Sequence, residues 1–304
     1  MTSFEKFDRM IRNLYETVRY FAVMAVKEDF RNPVGRAGTV GVPAPTMAVL
    51  GNGPSLEGEL SRLLAEKESG RRDLMAVNFF AEDERFVQLR PAYYVLSDPM
   101  FFRRCAEHDR ALELYRRLDE RVTWPMNLYV QYYNPERFDY RAALPNANIR
   151  IVPFHTQMYR GFRRLEFWLY RRGLGSANFG TVVQVGEYIA LLLGYRRIEL
   201  YGVDHTLLEG LCVDGENRLC RADRHYYDSG GPAALRPMFR KVPRQPYTMA
   251  SYLAEVAELF RGHEVLRDYA RWLGARIVNC TGASMIDAYE REAAITSASA
   301  KSSG

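Results

Sequence analysis

From residue 46 onward, the sequence alternates short apolar runs with longer amphipathic segments. The apolar runs have the length and continuity of buried strands, and the amphipathic segments repeat their apolar residues with a helical period. This alternation predicts an α/β fold, a mostly parallel sheet with helices on both faces and right-handed crossovers. The predicted strands are 46–50, 73–77, 92–96, 128–132, 149–153, 197–202 and 275–279. The predicted helices are 56–67, 100–118, 156–172, 179–193 and 248–273.

The chain of 304 residues, 47% of them hydrophobic, is long enough to bury one large core. Residues 1–40 are predicted to form an amphipathic helix and a Pro/Gly-rich linker. Residues 41–290 form the predicted ligand-binding α/β domain, and residues 291–304 are a low-complexity tail that we expect to be flexible. Residues 205–246 interrupt the alternation with Gly, Pro, Arg and aromatics, which predicts either a functional lid or a poorly ordered insertion. The aromatic content favours the lid.

Composition and charge limit the classes of protein. No apolar run approaches the roughly 18–20 residues that span a bilayer, and the N-terminus lacks the features of a signal peptide, so the sequence predicts a cytoplasmic protein. The four cysteines are scattered, which disfavours a disulfide framework or a zinc site. The net charge of +5 favours anionic partners, but no basic tract with interleaved aromatics predicts nucleic-acid binding.

The amphipathic helix predicted at residues 4–27 carries several Lys and Arg residues. Such a helix could dock on the anionic inner face of the cytoplasmic membrane or on a partner chain. Packing on its own domain is the favoured interpretation.

A glycine turn, residues 51–55 (GNGPS), joins the first predicted strand to the first predicted helix. Its two glycines let the backbone approach a ligand closely, and the helix start offers unpaired N–H groups and a positive dipole end to an anion. Ser55 could cap that helix or donate to a phosphate. The segment is not a P-loop, and Leu56 stands where a dinucleotide fingerprint needs its third glycine. A tight turn without a ligand is the structural alternative.

Polar side chains also follow other predicted strands. Asn78 comes directly after the second strand, and Ser97 and Asp98 follow the third. The segment that precedes the predicted helix at 179–193 contains Ser176 and Asn178. Single polar residues at such positions are more often caps, but their convergence at the carboxyl ends of parallel strands predicts a nucleotide site.

Two histidines are candidates for a general base. His225 lies in the predicted lid beside Tyr226 and Tyr227, where tyrosine hydroxyls could stabilise a leaving phosphate. A surface histidine in a polar loop is the alternative there. His205, directly after Asp204 at a strand end, is the competing candidate. No spacing of His, Cys, Asp or Glu indicates a metal site, so the sequence predicts a metal-independent one.

Taken in their order along the chain, these motifs resemble those of the small bacterial lipooligosaccharide sialyltransferases. They also resemble the wider superfamily of motility-accessory flagellin glycosyltransferases and archaeal 6-hydroxymethylpterin pyrophosphokinase-like proteins. The resemblance extends over residues 46–290, and its most specific parts are the turn at 51–56 and the stretch 192–204. It implies a modified Rossmann-like, sialyltransferase-type glycosyltransferase fold that binds a nucleotide-sugar donor.

The resemblance, together with the strand-end residues, implies a donor site. Its predicted residues are Gly51, Asn52, Gly53, Pro54, Ser55, Asn78, Ser97, Asp98, Ser176, Asn178, Asp204 and Ser284. By the same resemblance, His225 deprotonates the acceptor hydroxyl, and Tyr226 or Tyr227 holds the departing phosphate. His205-Thr206 stand where those sialyltransferases carry aromatics, so the donor stays open between a CMP-sugar, such as CMP-sialic acid, and a UDP-sugar.

The predicted function is therefore an inverting, metal-independent glycosyltransferase in bacterial surface polysaccharide or lipopolysaccharide synthesis, with a glycan or lipid-linked acceptor. No cofactor is expected, because the nucleotide-sugar is a substrate. One alternative is a hydroxymethylpterin pyrophosphokinase that needs ATP and Mg²⁺, and another is a non-catalytic nucleotide- or glycan-binding subunit. The sialyltransferase relatives assemble as homo-oligomers, while the sequence leaves the oligomeric state of this chain open.

Overall fold

The computed structural model describes residues 2–103, 105, 108–223, 234–240 and 245–292. Its centre is a parallel sheet of eight strands, which confirms the predicted α/β class. In chain order these strands are β1 (Thr46–Leu50), β2 (Arg72–Val77), β3 (Tyr93–Val95), β4 (Met126–Gln131), β5 (Ile149–Phe154), β6 (Arg197–Tyr201), β12 (Arg276–Asn279) and β13 (Glu290–Arg291).

Helices cover both faces of this sheet. In chain order, the α-helices of the described residues are α1 (Ser3–Lys27), α2 (Pro33–Ala37), α3 (Leu56–Glu66), α4 (Phe86–Leu89), α5 (His108–Arg121), α6 (Tyr140–Ala143), α7 (Arg163–Arg171), α8 (Val182–Leu192) and α9 (Met249–Trp272). Because side chains alternate along a strand, β1 sends Met47 and Val49 into the core around α8 and α9. It sends Ala48 and Leu50 into the core that includes residues of α3 and α5. Every residue of β1 is buried, as expected of a central parallel strand.

In the strand order of the sheet, β13-β12-β6-β1-β2-β3-β4-β5, the side on which successive strands are added changes at β1. The chain lays down β1 to β5 on one side and then returns to place β6 on the other side of β1. In open parallel sheets, ligands bind outside the carboxyl ends of the strands at such a change of side. The β1 turn and the residues that follow β6 therefore lie at the position where this architecture forms its binding crevice.

Two predicted helices begin later than the sequence pattern indicates. The α-helix predicted at 100–118 begins at His108, after a short 3₁₀ turn at Pro99–Phe101. The helix predicted at 156–172 begins at Arg163, because the preceding residues are held by tertiary contacts. Ser176 N–H donates to Gln157 C=O at 3.0 Å, and Met158 pairs with Ser176 as a parallel bridge.

The described parts of residues 205–246 contain regular structure that the sequence pattern did not predict. The strands β7 (Leu211–Val213), β8 (Leu219–Asp223) and β9 (Ala234–Pro237) form an antiparallel sheet, and β10 (Phe239–Arg240) pairs with β11 (Gln245–Pro246). These strands are short, so their period-2 pattern is difficult to detect. Leu219 packs with Tyr252 and Val256 of α9, which anchors the small sheet to the domain.

The predicted linker and the N-terminal helix also pack on the domain. Val34 of α2 is buried against the main sheet. A capping box formed by Thr2 and Glu5 starts α1. Only the later part of α1 packs on the domain, through Tyr20 and Met24. None of the helices in the described ranges is both long enough and apolar enough to cross a membrane.

Candidate functional site

The glycine turn after β1 packs tightly against the end of β6. Gly51 N–H donates to Tyr201 C=O, and Gly53 N–H donates to Gly202 C=O, both at 2.8 Å. A Cβ atom added to Gly53 would lie 1.8 Å from Oδ2 of Asp204, and one added to Gly51 would lie 2.4 Å from the Gly202 oxygen. Both glycines are therefore required by the chain itself. Their own N–H groups already donate to carbonyls at the end of β6. Their contact with a sugar-donor substrate remains a prediction.

Ser55, Asp204 and Ser284 form hydrogen bonds within the same crevice. The Ser55 hydroxyl donates to Asp204 Oδ2 at 3.0 Å and forms no side-chain cap on α3. Ser284 Oγ donates to Val203 C=O at 2.7 Å, and Met285 N–H donates to Asp204 C=O at 2.9 Å. These bonds hold the ends of β1 and β6 and the segment after β12 together. Direct donor contacts by these residues remain predictions.

Asn52 and Asn78 connect the β1 turn to the end of β3. The Asn52 amide donates to Val77 C=O at 3.2 Å, and the Asn78 amide donates to Asp98 Oδ2 at 3.0 Å. Asn78 has a φ of +47°, a left-handed conformation that Asn tolerates better than most residues. Its buried Oδ1 has no partner among the described residues. A strained strand-end residue with an unsatisfied oxygen is typical of a ligand-binding edge.

Four of the predicted residues, Ser97, Asp98, Ser176 and Asn178, line a single cavity of about 320 Å³. We call it the α8 cavity, because it lies between the ends of β3 to β5 and the start of α8. Its other lining residues are Pro99, Gln131, Phe154, Thr156, Met158, Ala177, Phe179, Gly180, Thr181, Val182 and Val185. The volume falls within the usual range of small-ligand sites. Gln131 is not among the predicted residues, although it too is a polar residue at a strand end.

The α8 cavity has features of an anion site. Ser176 is 1% exposed, and its Oγ finds no hydrogen-bond partner in the described part of the chain. Thr181 is the N-cap of α8 but makes no side-chain cap bond. The first N–H groups of a helix lack partners within the helix, and the helix dipole is positive at that end. A phosphate or a carboxylate therefore fits beside Ser176 and Thr181.

A second cavity of about 480 Å³ borders the β1 turn. It includes the predicted residues Asn52, Gly53 and Pro54, and it is otherwise lined by Leu56, Glu57, Leu60, Phe79, Phe80, Glu82, Asp83, Arg85 and Arg110. Its two guanidinium groups are paired, since Arg85 donates to both oxygens of Glu57 and Arg110 donates to Glu82. Carboxylates thus compensate the charge of both arginines in this cavity. No sequence signal marks Arg110, which lies within α5.

One group of three metal-ligand residues lies close together in the described ranges, formed by Glu199, Cys280 and Glu292. The Glu199 carboxylate already accepts from Arg72 Nε and Arg197 Nε, both at 2.6 Å. Two guanidinium groups compensate its charge and occupy both of its oxygens. These residues therefore do not fit a metal ion.

His205 belongs to a buried chain of polar side chains. Its Nε2 lies 3.1 Å from Nε2 of His263, and Nδ1 of His263 lies 3.0 Å from the Tyr289 hydroxyl. Tyr289 in turn donates to Glu187 of α8. We call His205, His263, Tyr289 and Glu187 the histidine chain. Sequence reasoning found no context for His263, because its partners are distant along the chain.

The Tyr289 hydroxyl sets the direction of one hydrogen bond in the histidine chain. Because the Tyr289 proton goes to Glu187, the Tyr289 oxygen accepts from Nδ1 of His263. Burial, reinforced by the neighbouring His263, lowers the pKa of His205 to about 3. His205 is therefore neutral near neutral pH.

This pKa bears on the choice of a base. A general base works best when its pKa lies near the operating pH, and a pKa of about 3 makes His205 a poor proton acceptor at neutrality. The competing prediction, His225 with Tyr226 and Tyr227, lies outside the described residues. Its role stays a prediction.

No family model matches the sequence, and no curated protein matches it. Among solved structures, the chain is similar to a MAf glycosyltransferase from Magnetospirillum magneticum AMB-1, with 14% identity and a TM-score of 0.48. The likeness covers 88% of this chain and 38% of that chain, so this chain spans less than half the length of that protein. A likeness this weak carries no argument about activity.

Proposed function

We propose that this protein is a glycosyltransferase that uses a nucleotide-activated sugar. The observation that supports this most is the α8 cavity, where Ser97, Asp98, Ser176 and Asn178 meet at the carboxyl edge of a parallel sheet. Ser97 and Asp98 follow a predicted strand, whereas Ser176 and Asn178 precede a predicted helix much farther along the chain. Their convergence is what a nucleotide-sugar site needs, with donors for an anionic group and acceptors for sugar hydroxyls.

In the proposed complex, the anionic part of the donor lies at the start of α8. Ser176 Oγ and the first N–H groups of α8 donate to it, and the helix dipole stabilises its charge. The Asp98 carboxylate, which Asn78 orients, accepts from donor hydroxyls. Charge on the leaving nucleotide rises during transfer, so fixed donors at this point stabilise the transition state more than the ground state.

The proposed reaction is a direct displacement with inversion. An acceptor oxygen attacks the anomeric carbon, the bond from that carbon to the phosphate oxygen breaks, and the nucleotide leaves with the electron pair. His225 takes the acceptor proton, and Tyr226 or Tyr227 contacts the departing phosphate. The resemblance to sialyltransferases supports these three roles and favours a glycan or lipid-linked acceptor of the bacterial cell surface.

Nucleotide binding tests the proposal. A ligand that binds the native state raises the melting temperature, so CMP, UDP, ADP and ATP are compared with and without Mg²⁺. We expect stabilisation by CMP or UDP in the presence of a chelator. Stabilisation only by ATP with Mg²⁺ would contradict the proposal and favour the pyrophosphokinase alternative.

Ser176→Ala locates the site. Losing one hydrogen bond to a charged group costs about 1.5–3 kcal/mol, so the affinity for the nucleotide that binds should fall roughly 10- to 100-fold in calorimetry. Ser69→Ala is the matched control, because Ser69 is exposed and lies before β2, at the opposite edge of the sheet. Equal affinity of Ser176→Ala and the wild type would place the nucleotide elsewhere.

A further inference from the structure

The helix α1 carries an apolar stripe with a regular heptad spacing. Its apolar residues recur at intervals of 3, 4, 3, 4, 3 and 4, which is the a/d pattern of a coiled coil. We call this stripe the α1 seam, and it consists of Phe4, Phe7, Ile11, Leu14, Val18, Phe21 and Ala25. The mean interval of 3.5 residues keeps the stripe on one face only if the helix winds around a partner.

The α1 seam is not the face that packs on the domain. Phe4 is 78% exposed, Leu14 is 55% exposed and Val18 is 64% exposed. The domain contacts come from a different side of the helix, where Tyr20 and Met24 are buried. The apolar face of α1 is thus directed to solvent instead of to the core of the domain. Such a continuous apolar stripe usually marks an interaction surface.

The first half of α1 also lacks support from the domain. All of residues 3–12 are exposed, and Tyr20 is the first fully buried residue of the helix. A helical segment this short is marginal by itself in water, since most helix stability in proteins comes from packing of an apolar face. The fold therefore leaves α1 with a face that a partner must cover.

The charges of α1 favour a protein partner over a membrane. The helix mixes Lys6, Arg9, Arg12, Arg19 and Lys27 with Glu5, Asp8 and Glu16. Arg12 pairs with Asp8 at 2.8 Å, and Arg19 pairs with Glu16 at 2.7 Å. Membrane-surface helices instead carry a polar face rich in Lys and Arg, without this compensation.

The positions beside the seam are compatible with a second copy of the same helix. In the heptad register, the e positions are Asp8, Tyr15 and Ala22, and the g positions are Ser3, Met10, Thr17 and Met24. Thr17 and Met24 contact the domain, so on the g side only Ser3 and Met10 face a partner helix. Asp8 is the single charged residue at the e and g positions, so two copies meet with little like-charge repulsion. Met10 and Tyr15 are exposed and add apolar area to the edges of the seam.

We infer that the protein is a homodimer in which the α1 seams of two copies pack as a two-stranded coiled coil. This arrangement buries three phenylalanines per chain and gives a closed, two-fold symmetric interface. It is independent of the catalytic proposal, because α1 contributes no residue to the α8 cavity.

Sedimentation of the full chain over a range of concentrations tests the inference. We expect a dimer for the wild type and a monomer for Ile11→Glu/Leu14→Glu, since two buried carboxylates per helix cannot be tolerated in the seam. The matched control is Arg9→Gln/Arg12→Gln, which changes the net charge by the same amount on the other faces and should remain dimeric. Circular dichroism and thermal unfolding check that each variant is folded.

A second variant keeps the inference testable if the charged pair disturbs the helix. In the full chain, Phe7→Gln/Val18→Gln makes two other seam residues polar without adding charge and should also give a folded monomer. A monomeric wild type, or a dimer that persists in Ile11→Glu/Leu14→Glu, would overturn the inference. So would a monomeric wild type that binds vesicles of phosphatidylserine and phosphatidylcholine through Ile11 and Leu14, because the seam would then be a membrane face.

Discussion

At the scale of single residues, the glycine turn after β1 lies where it was predicted, but its glycines are required for a different reason than the predicted one. The sequence indicates that Gly51 and Gly53 leave room for a ligand, but the room beside each Cβ position is taken by Gly202 and Asp204. The contact depends on the pairing of β1 with β6, whose partner residues, such as Thr46 and Arg197, are 151 positions apart. Local sequence carries no information on that pairing. The local sequence therefore predicts the turn but not the end of β6 that packs against it.

Gly53→Ala tests this explanation. The new methyl group would lie against the Asp204 carboxylate and 2.7 Å from the backbone oxygen of Gly202, so the β1 turn and the β6 end must separate. Overpacking of this kind typically costs about 1–3 kcal/mol in the free energy of unfolding, which urea denaturation measures. Gly58→Ala is the matched control. No atom lies within 4 Å of the Cβ position of Gly58, which is in α3, and the change should stabilise the helix by up to about 1 kcal/mol.

The low pKa of His205 predicts a dependence of stability on pH. The unfolded chain binds a proton at this histidine below a pH of about 6.5, whereas the folded protein does not until the pH approaches 3. The free energy of unfolding should therefore decrease as the pH falls through this window, by at most about 1.4 kcal/mol per pH unit from this group. Above pH 7 the group should contribute no slope.

His205→Asn isolates this contribution. Asparagine tolerates the positive φ of 51° at this position and does not titrate. Urea denaturation at several pH values should give a shallower decline between pH 6.5 and about 4 for the variant than for the wild type. Parallel pH profiles would show that His205 is not held neutral by the fold.

At the scale of elements, prediction succeeded where local pattern decides and failed where tertiary contacts decide. The strand β1 and the helix α8 lie close to their predicted positions, because continuous apolar runs and the stop at Gly194 are local signals. The segment before α7 is extended instead of helical, because Ser176 and Gln157 bond across it. The small sheet β7–β9 was not predicted, because its strands are short and lie in a segment with mixed composition.

The helix α8 connects the two parts of the candidate site. Its first residues border the α8 cavity, and its Glu187 ends the histidine chain. Gln184 joins it to α9, since its side chain accepts from Gly180 N–H and donates to Leu259 C=O. The sequence indicated that the start of this helix belongs to a site. It could not indicate Glu187, whose partners come from α9 and from the segment after β12.

At the scale of the whole molecule, one parallel sheet gathers the candidate site at its carboxyl edge. The alternating pattern predicts this class of sheet, and the rule on carboxyl ends predicts the edge that binds ligands. The strand order, with β6 beside β1, does not follow from any local pattern. It brings Asp204 and Ser284 to the β1 turn, while the α8 cavity forms farther along the sheet beside Asp98. The sequence grouped all these residues as one site, whereas in the structure some line the α8 cavity, some line the cavity beside the β1 turn, and others bond the strand ends to one another.

Release of a nucleotide from an activated sugar tests the central claim most directly. Purified protein is incubated with CMP-sialic acid or a UDP-sugar in the presence of a chelator, and free CMP or UDP is measured. We predict metal-independent release from one donor class, reduced by Ser176→Ala and lowered about 10²- to 10⁴-fold by His225→Ala if His225 is the general base. No release from any activated sugar, together with Mg²⁺-dependent consumption of ATP, would contradict the account.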